Sequence, residues 1–266
     1  MRQLDQYTLQ WLLDHFILLI LAFIRISSMM VAAPFFNNPA VPLRVKILLS
    51  LLIAFFLLPI LPPPAAPLQF DAAALVGTVF QEVLIGLLIG FTLNLLFLAL
   101  RFAGGMLDID MGFQTASLFN LDVGIPTLLG ELYFLVGLML FLLLNGHLYL
   151  IESVAASLKV LPINTFALTP PTIQFLIHAT GITFLIALKI AAPILIALFI
   201  TNLALALLAR VAPQTNIFIL SFQLKIVVGL LLLFATAPFL IIIIRNALEN
   251  FQSQLTELLL TLKPTG

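Results

Sequence analysis

Residues 217–244 read IFILSFQLKIVVGLLLLFATAPFLIIII, an apolar run interrupted by Lys225 and Pro238. A helix of about 20 apolar residues crosses the roughly 30 Å hydrocarbon core of a bilayer. The run is long enough to span a membrane. Placing the charge of Lys225 inside the bilayer costs free energy, so a charged residue in this run needs a reason.

The composition extends this conclusion to the whole chain. Its 266 residues are 63% hydrophobic and 8% charged, and the mean hydropathy is +1.25. Soluble domains are roughly 45–50% apolar and about 25% charged. So few charges do not cover a water-facing surface, and no β-barrel alternation is present. The sequence therefore predicts an all-α, polytopic membrane protein.

Charge and cysteine content exclude several classes of function. Eleven basic and eleven acidic residues give no net charge, so we expect no nucleic-acid partner. The chain has no cysteine, which excludes disulfides, thiolate catalysis and cysteine-ligated metals. The lipid bilayer is the first partner that the sequence predicts.

Apolar blocks along the chain predict about six hydrophobic helices or hairpins. The second block is short for a simple span and the fifth is long, and Pro193 and Pro238 are expected to kink their helices. Residues 1–245 are predicted to form one membrane-embedded domain, with its first apolar segment retained, and residues 246–266 an amphipathic tail. The blocks are 11–33, 47–61, 72–100, 127–151, 173–209 and 217–244.

Four charges lie inside these blocks: Arg25, Glu82, Lys189 and Lys225. Each costs about 2.5–3.5 kcal/mol at the centre of a bilayer. One interpretation is that they line an aqueous path or a buried contact with another subunit. The alternative is that they snorkel, or form an internal pair such as Glu82 with a lysine.

Glycines in the third block indicate close helix packing. Gly86 and Gly90 in EVLIGLLIGF form a GxxxG pair, which lets two helix backbones approach each other in a membrane.

The longest polar interval, residues 101–126, reads RFAGGMLDIDMGFQTASLFNLDVGIP. It combines three aspartates with the large apolar side chains of Met111, Phe113, Leu118 and Phe119. Either this loop folds back into a cavity of the protein or it lies at the membrane interface.

Catalytic motifs are missing from the sequence. Asp108 and Asp110 form a DxD pair without a second cluster of ligands, and His147 with Glu152 does not match the HExxH zinc helix. There is no GxSxG elbow and no phosphate-binding glycine loop. We expect no catalytic residue, no metal and no cofactor, and therefore no enzyme.

Four stretches resemble the FliR family of flagellar type III export-gate proteins. Residues 210–226, RVAPQTNIFILSFQLKI, match the family's APQ signature followed by IF and a phenylalanine. The other three stretches are FIRISSMMVAAPFFNNPAVPLRVKILLS, EVLIGLLIGF with RFAGGMLDIDMGF, and FLLLNGHLYLIESVAASLKVLPI. The matches follow the family's order from about residue 20 to residue 230.

The resemblance implies a non-enzymatic subunit that helps form the pore of the flagellar type III export gate. Its helices would be tilted, kinked hairpins in a helical assembly in the bacterial inner membrane, at the base of the flagellum. The implied partners are FliP-like and FliQ-like subunits, FlhB-like and FlhA-like proteins, and unfolded flagellar proteins that pass through the pore.

The resemblance also implies a plug after the third block, for which the candidates are Met111, Phe113, Leu118 and Phe119. The second set of candidates comprises polar residues that are buried or contact other subunits: Arg25, Glu82, Arg101, Asn145, His147, Lys189, Arg210, Gln214, Asn216 and Lys225.

The sequence alone leaves two rival functions open. A secondary transporter could use Glu82 and Lys189 beside the Pro193 kink as its ion and substrate site. The homologous subunit of a virulence injectisome would have the same architecture and different substrates.

Overall fold

The computed structural model describes residues 2–36, 41–61, 72–113, 127–214 and 216–263, and no strand occurs among them. The helices are α1 (Arg2–Ala32), α2 (Leu43–Leu57, continued by a 3₁₀ turn at Leu58–Ile60), α3 (Ala72–Met111), α4 (Leu128–Leu143), α5 (Gly146–Val160), α6 (Pro170–Val211), α7 (Ile217–Glu249) and α8 (Phe251–Thr261).

Five described stretches are helical, long and apolar enough to cross a membrane. Helices α4 and α5, which a short break separates, give a sixth candidate if together they form one span. The predicted all-α, polytopic membrane protein is thereby confirmed. The five stretches are His15–Ala32, Leu43–Ile60, Ala73–Met111, Pro170–Val211 and Ile217–Thr261.

The helices are as uneven in length as the apolar blocks predict. Helix α3 has 40 residues and α6 has 42. At about 1.5 Å per residue each is roughly 60 Å long, twice the thickness of the hydrocarbon core. Neither helix fits inside the core as an upright span. Helix α6 continues through Pro193 and α7 through Pro238.

Two boundaries differ from the sequence prediction. The fourth block, expected as one segment, breaks at Asn145, whose φ of 58° and ψ of 29° are left-handed. Asparagine is one of the few residues that adopt this conformation readily. Helix α3 does not end near residue 100 but continues to Met111, so the first part of the predicted polar loop is helical.

The chain folds into two compact units. The first comprises Met1–Asn94, Asn145–Ala179 and Asn250–Gly266, and the second comprises Leu95–Leu144 and Thr180–Glu249. Helix α3 therefore contributes its first half to one unit and its second half to the other. The predicted domain boundary at residue 245 stays a prediction.

Helix α8 is held inside the first unit. Its apolar side is buried at Phe251, Leu255, Leu258 and Leu259. The hydroxyls of Thr169 and Thr172 donate to the Thr261 carbonyl at 2.6 and 3.0 Å, which satisfies an acceptor at the end of the helix. The amphipathic segment predicted here is thus a helix with its apolar side packed against the unit.

Helices α1 and α3 touch in the first unit through two glycines of α3. An ideal Cβ on Gly86 would overlap the Ser28 hydroxyl and the Arg25 carbonyl, and would lie 3.0 Å from the Met29 nitrogen. A Cβ on Gly90 would lie 2.6 Å from both Ala32 Cβ and the Met29 carbonyl oxygen. The two backbones approach too closely for any side chain at these positions.

We predict that Gly86→Ala lowers the melting temperature of the detergent-solubilised protein, because overpacking costs about 1–3 kcal/mol. The matched control is Gly77→Ala on the same helix, where an added Cβ meets nothing within 4 Å. The control should be neutral or slightly stabilising, since alanine favours a helix more than glycine does. Equal melting temperatures for both variants would contradict this packing.

Candidate functional site

A buried ion pair joins two helices of the first unit. The side chains of Arg25 on α1 and Glu82 on α3 are both 0% exposed. Arg25 Nε donates to Glu82 Oε2 at 2.5 Å and Arg25 Nη2 donates to Glu82 Oε1 at 3.0 Å. Such a bidentate contact between a guanidinium and a carboxylate is strong, and it fixes the orientation of the two side chains relative to each other.

The remaining donors of Arg25 reach helix α5 and its end. Nη1 donates to Ser157 Oγ at 3.3 Å, and both Nη1 and Nη2 donate to the Leu161 carbonyl at 3.1 Å. A guanidinium carries five N–H groups, and these contacts with the two to Glu82 use all of them. Arg25 therefore connects α1, α3 and the end of α5 without leaving a buried donor unsatisfied.

Two of the four costly charges are thus matched inside the chain. The sequence left open an internal pair for Glu82, but the partner is Arg25 and not a lysine. Both side chains are sealed from solvent in the first unit, which leaves neither group free for an aqueous path there.

Three further cations from the list of candidates lie at accessible positions of the second unit. Lys189 on α6 and Arg210 at the end of α6 are exposed, and Lys225 on α7 is partly exposed. None of the three forms an ion pair with another residue that the structure describes. They differ in this from Arg101, which lies 3.3 Å from Glu131 and stacks 3.9 Å above the Phe134 ring.

The polar candidates near helix ends have local roles. Asn145 is exposed and forms the left-handed turn before α5. Asn216 Oδ1 accepts the Ile219 N–H at 3.4 Å at the start of α7, as an N-cap does. Gln214 is exposed, and His147 is partly buried with an Nδ1 that lacks a hydrogen-bond partner among the described residues.

Asp108 at the end of α3 has a role that the sequence did not indicate. It is 1% exposed, and its Oδ1 and Oδ2 accept the Leu129 N–H at 3.1 and 3.0 Å. It occupies the N-terminus of α4, where free N–H groups and the helix dipole favour an anion. Among the described residues no group of three metal-ligating side chains occurs, so the DxD pair has no further ligand there.

The plug candidates are only partly within the described residues. Met111 is fully buried in the second unit, and an ideal Cβ on Gly229 of α7 would lie 3.0 Å from Met111 Cγ. Phe113 is partly exposed. Leu118 and Phe119 lie outside the described residues.

Known proteins match this chain over most of its length. The model of the family "Bacterial export proteins, family 1" matches residues 16–251. The flagellar biosynthetic proteins FliR of Pectobacterium carotovorum subsp. carotovorum and Escherichia coli (strain K12) are each 36% identical over 81% of this chain and 82% of their own length. That of Bacillus subtilis (strain 168) is 27% identical over 88% of this chain and 92% of its own.

These matches cover the buried ion pair, both glycine contacts and the junction of α3 with α4. They confirm the resemblance that the four sequence motifs indicate. The chain therefore belongs to family 1 of the bacterial export proteins, the family of the flagellar biosynthetic proteins FliR.

Proposed function

We propose that this chain is a non-enzymatic subunit of the flagellar type III protein export gate in the bacterial inner membrane, at the basal body. The observation that carries the proposal is the 36% identity to flagellar FliR proteins over 81% of the chain. The family model over residues 16–251 supports it further. The substrates would be unfolded flagellar proteins, which cross without covalent chemistry.

Cations that lack an ion-pair partner among the described residues favour an assembly of several proteins over a protein that acts alone. Only 11% of the stretch Leu43–Ile60 is buried inside the chain. Of the 33 residues of α7, the buried ones are Gly229, Leu240, Ile244 and Leu248. Lipid can cover the apolar side chains, but it leaves charges such as Lys225 uncompensated at a cost of about 2.5–3.5 kcal/mol each. Partner proteins that supply acceptors would remove this cost, and we propose FliP-like, FliQ-like, FlhB-like and FlhA-like subunits for that role.

The pore would be closed by apolar side chains at and after the C-terminal end of α3. Met111 and Phe113, with Leu118 and Phe119, are proposed as the plug, since rings of apolar groups exclude ions by removing water from a constriction. The burial of Met111 against α7 fits a closed state, because the side chain is then held inside the protein.

The transporter alternative loses its main candidate group. Both Glu82 oxygens are bound by Arg25, and the side chain is 0% exposed, so it has no free position for an ion or solute. The flagellar relatives favour a flagellar gate over an injectisome subunit.

The proposed function is tested by deleting the gene in its own bacterium. Flagellin and hook protein should disappear from the culture medium while accumulating inside the cells, and the wild-type chain should restore their secretion. A deletion strain that still secretes flagellar proteins would contradict the proposal. Secretion of virulence effectors is measured alongside, and its selective loss would identify an injectisome subunit instead.

Variants of the ion pair between Arg25 and Glu82 distinguish a structural role of the two side chains from a role in transport. We predict that Arg25→Leu or Glu82→Leu alone destabilises the protein by about 3–5 kcal/mol, because each leaves a buried charge unmatched. The double variant should recover most of the stability and of the secretion. Glu249→Leu is the control, since its pair with Arg245 is exposed and contributes little.

A transporter that needs the Glu82 carboxylate would behave differently from this expectation. The double variant would then fold and remain inactive, which would contradict the proposed function. The measurements are the melting temperature in detergent and the amount of secreted flagellin.

We further predict that replacing Phe113 and Phe119 together by alanine makes the assembled complex permeable to ions, because the plug loses two large apolar side chains. Cells that carry the variant complex should depolarise, as measured with a potential-sensitive dye. The control is Phe234→Ala, which removes an exposed phenylalanine of α7. An unchanged membrane potential in the plug variant, with the complex present, would refute the plug assignment.

A further inference from the structure

Asp108 is a buried carboxylate without a basic partner. It is 1% exposed, and within the described part of the chain no lysine or arginine forms an ion pair with it. A lone carboxylate in apolar surroundings is costly, so it persists only where hydrogen bonds compensate it. Here the compensation comes from the first turn of α4, through the Leu129 N–H at 3.1 Å to Oδ1 and 3.0 Å to Oδ2.

The backbones of α3 and α4 are in direct contact one turn away from Asp108. An ideal Cβ on Gly104 would overlap the Leu129 carbonyl and the Gly130 nitrogen. A Cβ on Gly130 would lie 3.0 Å from the Arg101 carbonyl oxygen. The glycines permit this approach, and the Asp108 carboxylate supplies the attraction across it. Both the glycines and the Asp108 carboxylate therefore favour close contact between α3 and α4.

The same end of α3 is held on a second side by α7. Met111, three residues after Asp108, is 0% exposed and packs against Gly229 of α7. Gly112 then adopts a left-handed φ of 86°, which ends the helix and turns the chain. The direction in which Phe113 leaves α3 thus depends on where the last turn of α3 is fixed.

We propose that Asp108 is a positioning residue for the closed pore. By binding the N-terminus of α4, it fixes the last turn of α3 and with it Met111 and Phe113, the described part of the plug. The inference rests on the proposed function and adds to it a residue that acts through the plug without belonging to it. Weakening the bond between Asp108 and Leu129 lets the plug residues shift and ions pass.

The test uses the full complex, co-expressed, purified and reconstituted in liposomes of phosphatidylethanolamine and phosphatidylglycerol. Potassium flux is compared for wild type, Asp108→Ala, Asp108→Asn and the control Asp110→Ala, which removes the partly exposed carboxylate two residues away. Asp108→Ala should raise the flux about tenfold, a factor appropriate to the loss of a charge-assisted hydrogen bond. Asp108→Asn should be intermediate, because its amide oxygen still accepts the Leu129 N–H.

An engineered disulfide distinguishes a loss of plug positioning from general damage to the fold. An ideal Cβ on Gly105 lies 3.7 Å from both the Oγ1 and the Cγ2 of Thr127, and the chain has no cysteine of its own. The pair Gly105→Cys and Thr127→Cys, added to the Asp108→Ala chain, should form a bond across the junction when oxidised. The flux should then return to the wild-type value, and a reductant should raise it again.

Two results would overturn the inference. One is a wild-type flux in Asp108→Ala complexes of normal composition, and the other is a flux that stays high after the disulfide forms. If Asp108→Ala does not accumulate, Asp108→Asn with and without the disulfide is judged by the same criteria. Either result leaves the proposed function standing as long as deletion of the gene abolishes secretion, so the two failures are distinguishable.

Discussion

The first unit depends on one constraint, which is that a guanidinium in a dry interior needs an acceptor for every N–H. Glu82, Ser157 and the Leu161 carbonyl supply them to Arg25, and they come from three separate parts of the chain. These contacts hold α1, α3 and the end of α5 together at one point. Gly86, one turn after Glu82, allows the approach that the ion pair requires.

Within the part of the chain that the structure describes, Asp108, Lys189 and Lys225 of the second unit lack the ion-pair partner that Arg25 has. Asp108 is compensated by the N-terminus of a helix, so it needs no cation. Lys189 and Lys225 have no ion-pair partner among the described residues and lie at accessible positions of long apolar helices. The first arrangement stabilises the chain itself, while the second agrees with the proposal that partner subunits supply acceptors to these lysines.

The sequence predicted what depends on hydropathy and length, namely the membrane, the helices and their uneven spans. It did not predict the partner of Glu82, because the pairing joins residues 57 positions apart and depends on which helices meet. The predicted end of α3 was wrong because residues 101–126 are the longest polar interval, whereas the helix continues to Met111 and its Gly104 packs against the backbone of α4. The break at Asn145 had a usable signal in the Asn-Gly dipeptide.

The most direct test of the central claim is the native mass of the complex that contains this chain. The chain is co-expressed with the neighbouring membrane genes of its operon, purified in mild detergent and measured by native mass spectrometry. We predict a discrete hetero-oligomer with one copy of this chain and several copies of FliP-like and FliQ-like subunits. A lone monomer or a homodimer under the same conditions would contradict the account and return attention to a transporter.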